Sequence, residues 1–80
     1  MKIDILAFGI AKDIIRGQTL VMDMPPGTTV GGLKEKLCDQ FAGFQLLKSF
    51  AIAVNAEYRP DDFTLNEKDE VVIIPPVSGG

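Results

Sequence analysis

The 80-residue chain has no histidine and no tryptophan, a single tyrosine, and a single cysteine, Cys38. Without histidine, a His-dependent triad or dyad within the chain is excluded. One cysteine excludes an internal disulfide and cannot hold a structural zinc or an iron–sulfur cluster, so no metal site is expected. A lone thiol also fits a reducing compartment, and a cytoplasmic location is the expectation. Basic residues are few. Eight Lys and Arg stand against eleven Asp and Glu, a net charge of −3, which is the wrong sign for a nucleic-acid surface. A mild acidic excess suits a basic protein partner or simply solubility. No apolar run approaches the ~20 residues of a membrane span. The opening Met-Lys-Ile-Asp-Ile-Leu has no long apolar segment of the kind a secretory signal needs.

What is present is enough for one small core. Hydrophobic residues make up 46% of the chain and charged residues 24%, far from the low-hydrophobicity, high-charge signature of disorder. The length allows one domain, residues 1–80. The run from Lys2 to Phe8 alternates and then turns apolar on both faces, a first strand. Ile10 to Arg16 predicts one or two helical turns, closed by Gly17. Gln18 to Met24 is a second strand, antiparallel to the first and stopped by Pro25-Pro26-Gly27.

Thr28 or Thr29 caps a helix on which Val30, Leu33, Leu37 and Phe41 recur at spacings of three and four, a single apolar stripe. Cys38 sits beside that stripe and is read as a small, half-buried hydrophobe. Residues 42–50 form a loop with a short helical turn, anchored by Phe44, Leu46, Leu47 and Phe50. Ala51 to Val54 is a strand, Asn55-Ala56 a tight turn, and Glu57 to Arg59 a short return. Phe63 and Leu65 dip inward before the last strand, Glu70 to Ile74, whose Val71-Val72-Ile73-Ile74 run is β-branched throughout.

An amphipathic helix this short cannot stand alone and must lie across a sheet. Because the first and last strands are nearly all apolar, they belong at the sheet centre, paired in parallel. The expected class is α+β, a β-grasp (ubiquitin-like) fold: about five strands in a mixed sheet with one main helix across one face. Period two puts Ile3, Ile5 and Ala7 on one face of the first strand and Leu6 and Phe8 on the other. Either Leu6 and Phe8, with Ile74, form an outward patch for a protein partner, or Leu6 and Phe8 pack under the Ile10–Gly17 connection.

After Ile74 come Pro75, Pro76, Val77, Ser78, Gly79 and Gly80. The prolines end the strand, since neither donates a ladder hydrogen bond. Residues 76–80 are expected to be a flexible arm, about 16 Å long when extended, with a carboxylate on Gly80. Two readings of it stand side by side. In one it is a frayed or added terminus. In the other the Gly80 carboxylate is a reacting group, because chain without side chains can enter a narrow channel. Adenylation would make the carboxylate electrophilic, and sulfur could then attack to leave a thiocarboxylate.

The tail resembles that of the small, sulfur-carrier subunits of molybdopterin synthase. So do Asp69-Glu70-Val71 before it, Val54-Asn55 with its short hairpin, and Pro26-Gly27-Thr28-Thr29-Val30-Gly31-Gly32-Leu33 entering the helix. Departures are Ala11-Lys12-Asp13 where the family has Ala-x-x-Arg-Glu, Glu67-Lys68-Asp69-Glu70 where it has Asp-Gly-Asp-Glu, and Gly32 where an acidic residue is usual. The resemblance implies a protein that is not catalytic alone and binds no cofactor of its own. An activating enzyme would adenylate Gly80 with ATP and Mg, and a sulfur donor would make the thiocarboxylate. The charged arm, Pro75 to Gly79, would then insert into a large catalytic subunit and give sulfur to cyclic pyranopterin monophosphate, within a heterotetramer. Gly79 lets the tail fit, and Pro75 and Pro76 stiffen its exit. The alternatives are a carrier for thiamine or cysteine synthesis, and a β-grasp binding module or protein modifier.

Overall fold

A computed structural model describes residues 1–47 and 49–76. The elements run β1 (Lys2–Ala7), α1 (Ile10–Ile15), β2 (Thr19–Asp23), α2 (Val30–Gln40), α3 (Ala42–Gln45), β3 (Ala51–Val54), β4 (Glu57–Tyr58) and β5 (Glu70–Ile74). The five strands form one sheet in the order β2-β1-β5-β3-β4. β1 and β5 pair in parallel, and the other neighbours are antiparallel. This is the β-grasp arrangement, with the first and last strands adjacent inside the sheet as their apolar composition requires.

Ile3, Ile5 and Ala7 of β1, Met22 of β2, Ile52 and Val54 of β3 and Val71 and Ile73 of β5 are buried on the face that α2 covers with Val30, Leu33 and Leu37. Phe41 is only partly buried and closes the end of the stripe. Phe44 of α3 is buried and meets Phe41 edge-on, with ring centroids 6.1 Å apart, and Phe50 at 5.1 Å. Residues 42–50 thus anchor through Phe44, Leu47 and Phe50, whereas Leu46 points to solvent, 87% exposed. The expectation that Leu46 helps to anchor this segment is corrected, because a four-residue helix presents only one side to the core.

The first turn of α2 is fixed from outside the helix. Thr29 is its N-cap, and its Oγ1 accepts from the Gly32 amide at 3.2 Å. The Val30 amide donates to the Phe63 carbonyl (2.9 Å) and the Gly31 amide to that of Asp61 (2.8 Å). Donors that a helix start leaves unpaired are therefore met by the 61–63 segment. Close approach explains one glycine: a Cβ on Gly31 would stand 3.2 Å from Asp61 Cβ and 3.3 Å from its carbonyl oxygen.

α1 ends differently from the sequence expectation. The left-handed residue is Arg16 (φ 61, ψ 45), not Gly17, although the Gly17 amide does bond back to the Lys12 carbonyl at 3.1 Å. The turn geometry falls one residue early because the helix stops at Ile15. α1 packs on α3, where a Cβ on Gly43 would lie 3.0 Å from both Cγ atoms of Ile14.

Candidate functional site: the open sheet face and the exit of β5

One face of the sheet carries α2; the other has no helix on it among the described residues. Strand register lays out that open face. Thr19 of β2 stands beside Leu6 of β1, Leu6 beside Val72 of β5, Val72 beside Ala53 of β3, and Ala53 beside Tyr58 of β4. One register line thus crosses all five strands, apolar from Leu6 to Ala53 and amphipathic at Tyr58. Two residues along the strands, Ile74 pairs with Ala51 on one side of this line and Val21 with Asp4 on the other. Val21 is 58% exposed and Tyr58 68%. A face this apolar on a small domain is the usual mark of a protein contact.

The expected patch residues fall as follows. Leu6 is half-buried on the open face and Ile74 is half-buried beside Ala51. Phe8 lies just past β1 and is 53% exposed. α1 packs on α3 and on β1 with Ala11 in the buried core, and period two turns Leu6 to the opposite face of β1. Val21, Val72, Ala53 and Tyr58 belong to the same face. Val72 is legible from a last strand that is apolar on both sides. Val21 and Tyr58 are not, because single exposed apolar residues are ordinary.

Acidic groups rim the open face. Asp4 and Glu70 are register partners on β1 and β5, so two carboxylates lie side by side. A groove of about 460 Å³ beside them is lined by Leu6, Thr19, Val21, Lys68 and Asp69 among others. The ion pairs among the described residues are Met1–Asp23, Lys34–Asp61 and Arg59–Glu57, none on Asp4 or Glu70. Asp69 is occupied structurally. Its Oδ1 accepts from Asn55 Nδ2 (2.9 Å) and its Oδ2 from the Asn66 amide (2.8 Å).

β5 ends where this face meets the β1–α1 turn. Pro75 is half-buried and Pro76 exposed. Val77, Ser78, Gly79 and Gly80, on which the sulfur-carrier expectation depends, lie outside the described residues. Among the described residues no group of three or more His, Cys, Asp or Glu could hold a metal ion. No described helix is long and apolar enough to cross a membrane. Cys38 is half-buried on α2, and its carbonyl accepts from Gln45 Nε2 at 2.8 Å.

A ubiquitin-like β-grasp domain with a strand exit beside an open apolar face is the class this geometry defines. The chain belongs to the ThiS family, whose pattern matches residues 5–80. It is similar to the molybdopterin synthase sulfur carrier subunit of Arabidopsis thaliana, 32% identical over all of this chain and 84% of that one. It is 38% identical to the subunit of the same name from Dictyostelium discoideum, over 95% of this chain and 93% of that one. Among solved structures, a Pyrococcus furiosus protein described as molybdopterin converting factor subunit 1 matches with a TM-score of 0.87 at 23% identity, covering 96% of this chain and 99% of that one. A complex of subunits 1 and 2 of molybdopterin-converting factor from Helicobacter pylori contains a chain that matches at 0.67 and 22% identity, with full coverage of both.

Proposed function

We propose that this protein carries sulfur for molybdopterin synthesis, as the small subunit of a molybdopterin synthase, on the carboxylate of Gly80. The observation that carries the reading is full-length similarity to two sulfur carrier subunits, in a chain whose central strand β5 leads directly into Pro-Pro-Val-Ser-Gly-Gly. The chemistry asks little of the domain itself. An activating enzyme joins the carboxylate to AMP, using ATP and Mg. A sulfur donor then replaces AMP, and the product is a thiocarboxylate. The small domain supplies a rigid body to grip and a narrow arm to insert, while acid, base and oxyanion groups belong to its partners. This division of labour makes the chain a co-substrate of the synthase and not a catalyst alone.

The partner for the second step is a large catalytic subunit, and the complex of two converting-factor subunits among the similar structures supports such a pairing. The open face, with Leu6, Phe8, Val72 and Ile74, is the proposed docking surface, because it borders the strand that launches the arm. Two small subunits at the ends of a large-subunit dimer would make the heterotetramer. The working compartment is the cytoplasm.

Intact-mass measurement after incubation with the activating enzyme, ATP, Mg and a sulfur donor tests the proposal. A gain of about 16 Da, from replacing one oxygen by sulfur through the acyl-adenylate, is expected. Deleting Gly80 should abolish the gain and leave the melting temperature within about 2 °C of the parent, as the loss of one terminal residue usually does. Molybdopterin formation by a chain that lacks Gly79 and Gly80 would overturn the reading.

A further inference from the structure

Parallel pairing sets Ala7 of β1 beside Ile73 of β5. Phe8-Gly9, just past β1, and Ile74-Pro75, where β5 ends, therefore run side by side. Gly9 adopts φ 56, ψ −134, the mirror image of extended backbone, which is open to glycine and strained for every L side chain. Its carbonyl accepts from the Lys12 amide at 3.1 Å, so the same residue starts α1. A Cβ built on Gly9 would touch Pro75 Cγ at 3.4 Å. Pro75 is half-buried, whereas Pro76 is exposed, so Pro75 is the last residue of this exit that the domain partly covers among those described.

We propose that Gly9 is a positioning residue for the arm. Its glycine-only conformation and the missing Cβ, which would reach to 3.4 Å from Pro75 Cγ, form the seat for the Pro75 ring. With the φ of Pro75 locked near −65°, that seat sets the angle at which residue 76 departs. An alanine here is caught between two demands. Keeping φ positive strains it, and relieving that strain turns a backbone whose methyl would already touch the Pro75 ring at 3.4 Å, so the ring must adjust with it. The exit angle then shifts even though the core, which Gly9 does not enter, is unchanged. The functional half of the inference rests on the sulfur-carrier reading, since an exit angle matters when Gly80 must reach another enzyme's active site. The structural half, coupling between residues 9 and 75, does not.

The test is a double-mutant cycle of Gly9→Ala, Pro75→Ala and the pair, assayed by ATP–pyrophosphate exchange with the activating enzyme. Gly9→Ala is expected to leave the KM for the carrier within about twofold while lowering kcat about tenfold, the scale of loss that slight misplacement of a reacting group produces. Pro75→Ala should remove most of that difference, so the pair falls well short of the product of the single effects. A chain assembled by peptide ligation with D-alanine at residue 9, for which φ 56, ψ −134 is relaxed, should fold and recover kcat. It also keeps the test decisive if Gly9→Ala does not fold. Multiplicative effects in the cycle, a folded Gly9→Ala with parental kcat, or a folded D-alanine chain with depressed kcat would each overturn the proposal. If the parent chain supports no exchange at all, the sulfur-carrier reading fails. Melting temperatures of the same four proteins then decide the structural half, non-additive shifts sustaining it and additive shifts overturning it.

Discussion

Ala56 holds φ at 70 and Asn55 at 53, the paired left-handed residues of a two-residue hairpin turn between β3 and β4. Asparagine tolerates that region, but alanine meets its own carbonyl there. Ala56→Gly should therefore raise stability by about 0.5–1 kcal/mol, despite the extra freedom glycine gains when unfolded. Thermal denaturation would register this as a rise of a few degrees. Gly43 is the opposite case. Adding a methyl 3.0 Å from two carbons of Ile14 overfills the α1–α3 contact, and Gly43→Ala should cost about 1–3 kcal/mol. Asp4 and Glu70 give a third prediction. Like charges opposite one another on adjacent strands destabilise, so Asp4→Asn should add a few tenths of a kcal/mol in urea unfolding. Raising the salt concentration should shrink that gain. The turn at Asn55-Ala56 was legible because asparagine announces it. The tight spots at Gly31 and Gly43 were not. Each comes from a segment distant in sequence, Asp61 in one case and Ile14 in the other, and a glycine inside a helical pattern reads only as a weak position.

At the level of elements, β1, β2, β5 and α2 could be read from their patterning almost to the residue, because each buries one side more deeply than the other. The buried stripe of α2 is the one its spacing marks, and Thr29 is one of the two caps the sequence offers. Thr29→Ala should cost about 1 kcal/mol, as the Gly32 amide loses its acceptor. The first turn should nevertheless persist, since Val30 and Gly31 keep carbonyl partners at residues 63 and 61. Amide exchange that quickens at Gly32 but not at Val30 or Gly31 would confirm this; loss of protection across the whole first turn would contradict it. The end of α1 was misplaced by one residue, since Arg16 takes the left-handed position that glycine usually holds. The open face shows where single-chain reading stops. Alternation identifies which side chains share a face, but only the order β2-β1-β5-β3-β4 aligns Leu6, Val72, Ala53 and Tyr58 on one line.

For the molecule as a whole, the open face and the strand exit should be separable from folding. Phe8 lies past the end of β1 and is half exposed. Phe8→Asp should keep the melting temperature within about 2 °C, as surface changes away from packing contacts usually do. The same change should weaken binding to a large catalytic subunit by tenfold or more, the penalty typical of losing an interface anchor. Calorimetric titration of the two subunits would check it, and undiminished affinity would move the docking surface elsewhere. The parallel pairing of β1 with β5 has a separate consequence for how the protein comes into being. The second strand made in the cell waits only for the first, but β1 and β3 cannot be joined until residues 70–74 arrive between them. A nascent chain leaving the ribosome must hold its first hairpin and its helix in suspense. The sheet closes only when the segment that precedes Pro75 has emerged, so the domain completes itself after most of its synthesis is over.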